Sequence, residues 1–246
     1  MSWSGPLRGS SWVRANYRGR PVSLAAGPAV ALGAGLLTRA PGALPLALLA
    51  AAAGRYDDVA GHRPEQRADM GIAGHLRALG ERRISAGTVK MAVLPVAGLL
   101  AARARAGGGT CSWPQQSCDA LLVAGTANAV NLLDVAPGRA LKGVLAVLIG
   151  GAALPPVRRA GLGLGFVAAV ALPSDLAERS MLGDCGANAL GALLGLCVGA
   201  DRRWVVRFPA LAAVTGLNLA AERVSLSPVI ARMPVLARLD AWGRPA

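Results

Sequence analysis

The sequence predicts an all-α protein, a polytopic membrane helix bundle of about eight transmembrane helices with its N- and C-termini on the cytoplasmic side. Three observations predict it. Of 246 residues, 54% are hydrophobic and 16% charged, and the mean hydropathy is +0.46; such a chain is too apolar for an ordinary soluble domain. Its apolar residues gather in blocks such as 21–37, 43–53, 121–133 and 141–154 instead of recurring at an amphipathic period, so these segments are apolar all round. The basic residues are also unevenly shared. With spans near 21–39, 42–54, 88–104, 118–133, 142–155, 161–174, 187–200 and 204–221, eighteen of the 26 Lys and Arg fall inside and eight outside, the orientation that the positive-inside bias favours. Topology therefore accounts for the net charge of +13 and the pI of 11.3, and no nucleic acid is expected as a partner.

Taken in order, residues 1–20 form a cytoplasmic segment with four arginines and no apolar core, so no cleavable secretory signal is expected and the first apolar block inserts the chain. Several blocks are shorter than the ~20 residues of a full span; their ends reach into Arg-containing flanks or pack as short helices within the bundle. The inner loops are 55–87, 134–143 and 174–186, followed by a C-terminal cytoplasmic segment, 222–246. Within the first loop, 68–79 reads as an interfacial amphipathic helix, with Met70, Ile72, Ala73, Leu76 and Leu79 on one face and Arg67, His75 and Arg77 elsewhere. Cys111 and Cys118 fall in the outer polar loop, where either a disulfide or two unpaired thiols fits. Cys185 and Cys197 read as small packing residues. No Cys/His spacing resembles a zinc site.

Three constellations carry chemistry. Asp57 and Asp58 stand side by side at the mouth of a span, where like charges and poor solvation are costly unless a cation compensates; Mg²⁺ with a diphosphate is the usual solution, and a solvated acidic turn is the plain alternative. Asn128, Asn131 and Asp134 share one face near the end of a later span. Such a stack lines a cavity or braces neighbouring helices. Asp184 lies between Gly183 and Cys185-Gly186 at the start of a small-residue span, where a helix N-terminus favours anionic ligands; a simple N-cap would look the same. Lys90 and Lys142 are the only lysines among 26 basic residues, and both lie beside these clusters. A compact ammonium suits a phosphate.

Taken together, DD after an early span, NxxNLLD (128–134) and MLGDxGAxxLG (181–191) resemble the polyprenyl-phosphate N-acetylhexosamine-1-phosphate transferase superfamily, which includes the lipid I translocase and the transferases initiating O-antigen and teichoic acid linkage units. The resemblance covers roughly 16–243, including Asn16-Tyr17-Arg18-Gly19-Arg20. It implies a transmembrane catalytic domain, 21–221, in the plasma membrane with its groove open to the cytoplasm. It also implies transfer of a sugar 1-phosphate from a UDP-sugar to polyprenyl phosphate, with Mg²⁺, or Mn²⁺ in its place, as cofactor. Asp57, Asp58 and Asp184 would be the catalytic and metal-binding acids. Asn128, Asn131, Asp134, Lys90, Arg139 and Lys142 would bind the nucleotide sugar and its phosphates. Membrane lipid is an implied partner, and a homodimer is compatible with it. The chain departs from the family pattern in having fewer spans, in lacking the His-rich motif of the late loop, where Glu222 to Pro228 stand instead, in Pro137 for a second Asp, and in Ala187 for a Ser. The smaller number of spans bears on the lipid groove and the other departures on the donor side, and two rivals remain: an inactive relative that binds polyprenyl phosphate or a cell-wall partner, and a membrane prenyltransferase.

Overall fold

The structure, a computed structural model, describes residues 11–61, 71–107 and 112–244. It is all-α, 76% helical, with eleven α-helices among the described residues. They are α1 (Ala26–Leu37), α2 (Ala43–Ala60), α3 (Gly71–Gly80), α4 (Ala86–Ala106), α5 (Trp113–Leu133), α6 (Arg139–Gly150), α7 (Pro155–Leu176), α8 (Gly183–Val198), α9 (Trp204–Ala221), α10 (Leu226–Arg232) and α11 (Pro234–Ala241). Eight of these, α1, α2 and α4 to α9, fall on the eight apolar segments read from the sequence. By length and composition α4, α7 and α9 can each cross a membrane. Large apolar side chains such as Leu36, Ile149, Leu162, Phe166, Val205 and Phe208 face outward. Water would make such a surface costly, whereas hydrocarbon solvates it.

The middle of the bundle is α8, in which only Asp184 and Val198 escape full burial. It packs on α2 and α5 above all, then on α1 and α7. Small residues permit this closeness. A Cβ at Gly54 of α2 would run into the Asp184 carbonyl, and one at Gly191 of α8 into the Thr126 carbonyl of α5.

At one end of the bundle, Arg207, fully buried, donates to the carbonyls of Asp201 at 2.9 Å and Gly199 at 2.6 Å. It also pairs with Asp119 at 3.0 Å, and Asp119 pairs in turn with Arg105. This network ties the ends of α4, α5, α8 and α9 together.

Two segments differ from the expectation. Pro21–Ser23 opens no helix: it is a strand, β2, antiparallel to β1 (Val13–Ala15). The turn between them is self-made, because Asn16 Oδ1 accepts the backbone N–H groups of Arg18 and Arg20, each at 2.9 Å, and Gly19 takes the left-handed conformation at φ +71°. The span expected over 142–155 stops at Gly150 and passes into a short 3₁₀ turn, Gly151–Ala153, before a Pro-Pro start to α7. The C-terminal segment forms α10 and α11, which lie against the same end of the bundle as the hairpin. Of the amphipathic stretch expected over 68–79, residues before Gly71 lie outside the described residues, and the rest is α3.

Candidate functional site

The site lies where the C-terminal turn of α2, the N-terminal turns of α4 and α8, and the C-terminal turn of α5 meet. Adjacent residues on a helix point about 100° apart, so Asp57 and Asp58 face different neighbours. Asp58, whose side chain is fully buried, turns to the start of α8. Its Oδ1 accepts the Asp184 N–H and its Oδ2 the Cys185 N–H, both at 3.0 Å, and its Oδ1 also pairs with Arg14 of β1 at 2.8 Å. Gly183 makes room for this contact, since its φ is +61° and a Cβ there would press on Leu24 and the Asp58 carboxylate. Asp57 turns instead to Lys90 of α4, whose ammonium also pairs with Asp184 Oδ2 at 2.9 Å. Asn131 of α5 donates to the same Oδ2 at 3.4 Å, and Arg14 stands 3.7 Å from Asp184 Oδ1. One ammonium thus bridges two carboxylates, and one guanidinium bridges Asp184 to the third.

Beside this cluster opens a cavity of 290 Å³ whose polar lining includes Arg14, Asn16, Tyr17, Asp134, Asp175, Glu178 and Ser180. It lies between the β-hairpin, the α5–α6 turn and the α7–α8 connection. Met181 N–H donating to the Ser23 carbonyl at 3.0 Å fixes the hairpin to that connection. Glu178 is held by Asn16 at 2.7 Å and Arg18 at 3.3 Å, and Asp175 accepts the Gly138 N–H at 2.5 Å. Asp134, the cap residue of α5, has no side-chain hydrogen bond among the described residues. Burial first, then the charges of Asp175 and Asp184, push its carboxyl well above the usual carboxylate range, which favours its protonated, donating form.

The sequence-derived residues divide accordingly. Asp57, Asp58, Asp184, Lys90 and Asn131 come together, and Asp134 lines the adjoining cavity. Asn128 does not join them: it donates to Asn218 Oδ1 at 2.6 Å, bracing α5 against α9. Arg139 and Lys142 are engaged by the C-terminal segment. Arg139 grips both oxygens of Asp240 at 2.8 and 2.9 Å and donates to Ser227 at 2.8 Å, while Lys142 donates to the carbonyls of Leu239, Asp240 and Trp242. Cys118, Cys185 and Cys197 are buried free thiols, and Cys111 lies outside the described residues. Arg14 was not singled out in the sequence. Its one signal was position, two residues before the Asn16-Tyr17-Arg18-Gly19-Arg20 stretch.

Among the described residues no three His, Cys, Asp or Glu side chains form a ready metal-binding group. Asp58 has both oxygens accepting backbone N–H groups and one of them paired with Arg14 as well, so of the three expected metal-binding acids it has the least free capacity. Asp57 and Asp184, with the Asn131 amide beside them, remain. That donor chemistry fits Mg²⁺, which takes one or two carboxylates and completes its shell with water and substrate phosphates.

Comparison with protein-family models, with curated proteins and with solved structures returns no match.

Proposed function

We propose that this chain is a Mg²⁺-dependent integral membrane transferase that moves a sugar 1-phosphate from a UDP-sugar to polyprenyl phosphate at the cytoplasmic face, within an eight-span bundle whose termini are both inside. The observation that carries this reading is the meeting of Asp57, Lys90, Asn131 and Asp184, from four helices and up to 127 positions apart in sequence, next to a polar cavity with an unpaired carboxyl. In the reaction, an oxygen of the lipid phosphate forms a bond to the sugar-bearing phosphorus, and the bond from that phosphorus to the bridging oxygen breaks. UMP leaves with the electron pair, and the product is a polyprenyl-diphosphate-sugar.

Asp57 and Asp184 would hold Mg²⁺, which would supply charge neutralisation on the departing phosphate. Asp57 orients the lipid phosphate and takes its proton if it arrives protonated. Lys90 passes from the carboxylates to a phosphate oxygen. Asp58 holds the first turn of α8, and so Asp184, in place. The cavity takes the nucleoside, with the Tyr17 ring as a stacking surface and Asp134 as a hydrogen-bonding partner. At 290 Å³ it falls just below the ~300–1,000 Å³ typical of small-molecule sites, a size for a nucleoside, with the sugar left outside.

One observation favours a second reading, a non-catalytic binder of polyprenyl phosphate: Lys90 and Arg14 already pair with all three carboxylates. Purified protein in proteoliposomes with polyprenyl phosphate, Mg²⁺ and a panel of UDP-sugars separates the two. UMP release that is lost in Asp184→Asn supports the transferase. Saturable polyprenyl phosphate binding with no turnover on any donor supports the binder.

A further inference from the structure

The C-terminal helices are amphipathic in the wrong sense for water. In α11 and the residue after it, Val235, Leu236, Leu239 and Trp242 share one face at helical spacing and are exposed, Trp242 at 69% and Val235 at 68%. The edge of the helix beside Leu236 carries Asp240, which Arg139 and Lys142 hold to the bundle. No residue of α10 or α11 is buried. The segment is therefore fixed to the protein along this polar edge and presents its apolar face outward.

Two facts identify what covers that side. The segment begins four residues after α9, a helix able to cross a membrane, and four residues span at most about 14 Å, so α10 and α11 emerge at the bilayer surface. Arg223, Arg232 and Arg238 are exposed along the segment, where lipid phosphates would meet them. We infer that residues 226–242 form an interfacial anchor, apolar face in the acyl boundary and arginines among anionic headgroups, which fastens the α5–α6 turn to the membrane surface through Asp240, Arg139 and Lys142. That turn carries Asp134 and Pro137, both of which line the cavity, and Arg244 donates to the Pro137 carbonyl at 2.9 Å. The anchor thus sets the height of the cavity wall relative to the headgroups.

The inference rests on the membrane reading and not on the transferase chemistry, so its failure and that of the proposed reaction are separable. The test places an environment-sensitive fluorophore at Leu239→Cys or Ala241→Cys, with the four native cysteines replaced, in proteoliposomes of mixed anionic and zwitterionic lipid. The label at 239 is expected to emit further to the blue, to be quenched by headgroup-depth nitroxide lipids and to be spared by aqueous iodide. The label at 241, on the other side of the helix, is expected to show the reverse. Equal iodide quenching at both positions overturns the inference, as does protection of 239 from both quenchers, which would mean a protein partner. If the cysteine-free background does not fold, brominated-lipid quenching of the native chain against Trp242→Phe gives the same answer: the lipid-quenched emission must fall in Trp242→Phe, and unchanged quenching refutes the anchor.

Discussion

Asp58→Ala tests the division of labour within the adjacent acid pair. The substitution removes the acceptor of two backbone N–H groups in the first turn of α8 and leaves the Arg14 guanidinium with Asp184 alone, 3.7 Å away. Hydrogen bonds to a charged group contribute ~1.5–3 kcal/mol each, and breaking a buried pair from one side costs ~3–5 kcal/mol. These are two accounts of the same contacts, so the expected loss is ~4 kcal/mol, well above the ~1 kcal/mol of an ordinary helix cap. At ~2–4 °C per kcal/mol for a chain of this length, Tm falls by ~8–16 °C. Asp57→Asn differs in kind. Lys90 keeps its pairing with Asp184 and the amide keeps an oxygen, so stability changes by less than ~1 kcal/mol, as for most substitutions that break no buried network. Turnover then falls by ~100-fold or more, the contribution expected of a group that handles a proton. Thermal unfolding of both variants in detergent, followed by circular dichroism, together with UMP release from the folded fraction, measures this. If Asp58→Ala melts within ~3 °C of the parent, or if Asp57→Asn turns over normally, the assignment of brace and reacting group is wrong.

Asn128→Ala breaks the α5–α9 brace and is expected to cost ~0.6 kcal/mol, the average for hydrogen bonds between membrane helices, with donor KM unchanged; a tenfold rise in KM would return Asn128 to the substrate site. Asp119→Ala strands Arg207 and Arg105 at the far end of the bundle and should cost ~3–5 kcal/mol while activity per folded molecule holds; a melting temperature equal to the parent's would refute the clamp. For Asp240, burial alone would raise the carboxyl, but hydrogen bonds from Arg139 and Arg244 outweigh it and hold it below the usual range. A depressed folded value means that docking of the C-terminal segment is fully stabilised above the ordinary carboxylate pKa of about 4 and is lost as pH falls through the lower folded value. Hydrogen exchange across α11, corrected for intrinsic rates, should therefore be flat from pH 7 to about 4.5 and rise below that, whereas Asp240→Asn should exchange faster throughout.

How much was legible in the sequence depends on the range of each interaction. The apolar blocks located the eight helices because burial and lipid exposure are written locally in composition. The acids were legible because unpaired carboxylates at span ends are costly wherever they occur. The β-hairpin was missed because Pro21-Val22-Ser23 is as apolar as a helix start, while its strand conformation depends on the Asn16 side chain and on pairing with Val13–Ala15. Arg14 was missed for a related reason: one arginine among four in the N-terminal segment has nothing to distinguish it until the hairpin folds it over Asp58 and Asp184. Asn128 shared a helix face with Asn131 in the sequence, yet a partner ninety positions away, Asn218, claims it. Arg139 and Lys142 are basic and near the acids, which makes them phosphate-ligand candidates in the sequence; in the structure Arg139 holds the Asp240 carboxylate and Lys142 holds backbone carbonyls, both of the chain's own C-terminal segment.

The charge balance of the site explains why one of the two lysines stands there. Three carboxylates, Asp57, Asp58 and Asp184, face two cations, Lys90 and Arg14, so with all three acids ionised the set carries one uncompensated negative charge. A diphosphate, itself multiply negative, gains no net attraction from such a site unless it arrives with a cation or draws one of the resident cations to itself. Arg14 is ill suited to move, since its guanidinium joins Asp58 to Asp184 and so holds the start of α8. Lys90 is well suited: an ammonium is a point charge with three rotatable donors on a flexible stem, and it can exchange a carboxylate for a phosphate oxygen without a change in backbone. Replacing it with the arginine that this chain otherwise prefers would substitute a planar fork that locks onto a carboxylate in two-point geometry. Lys90→Arg should consequently keep the fold and the charge and still lose turnover, an outcome that a purely structural salt bridge would not produce.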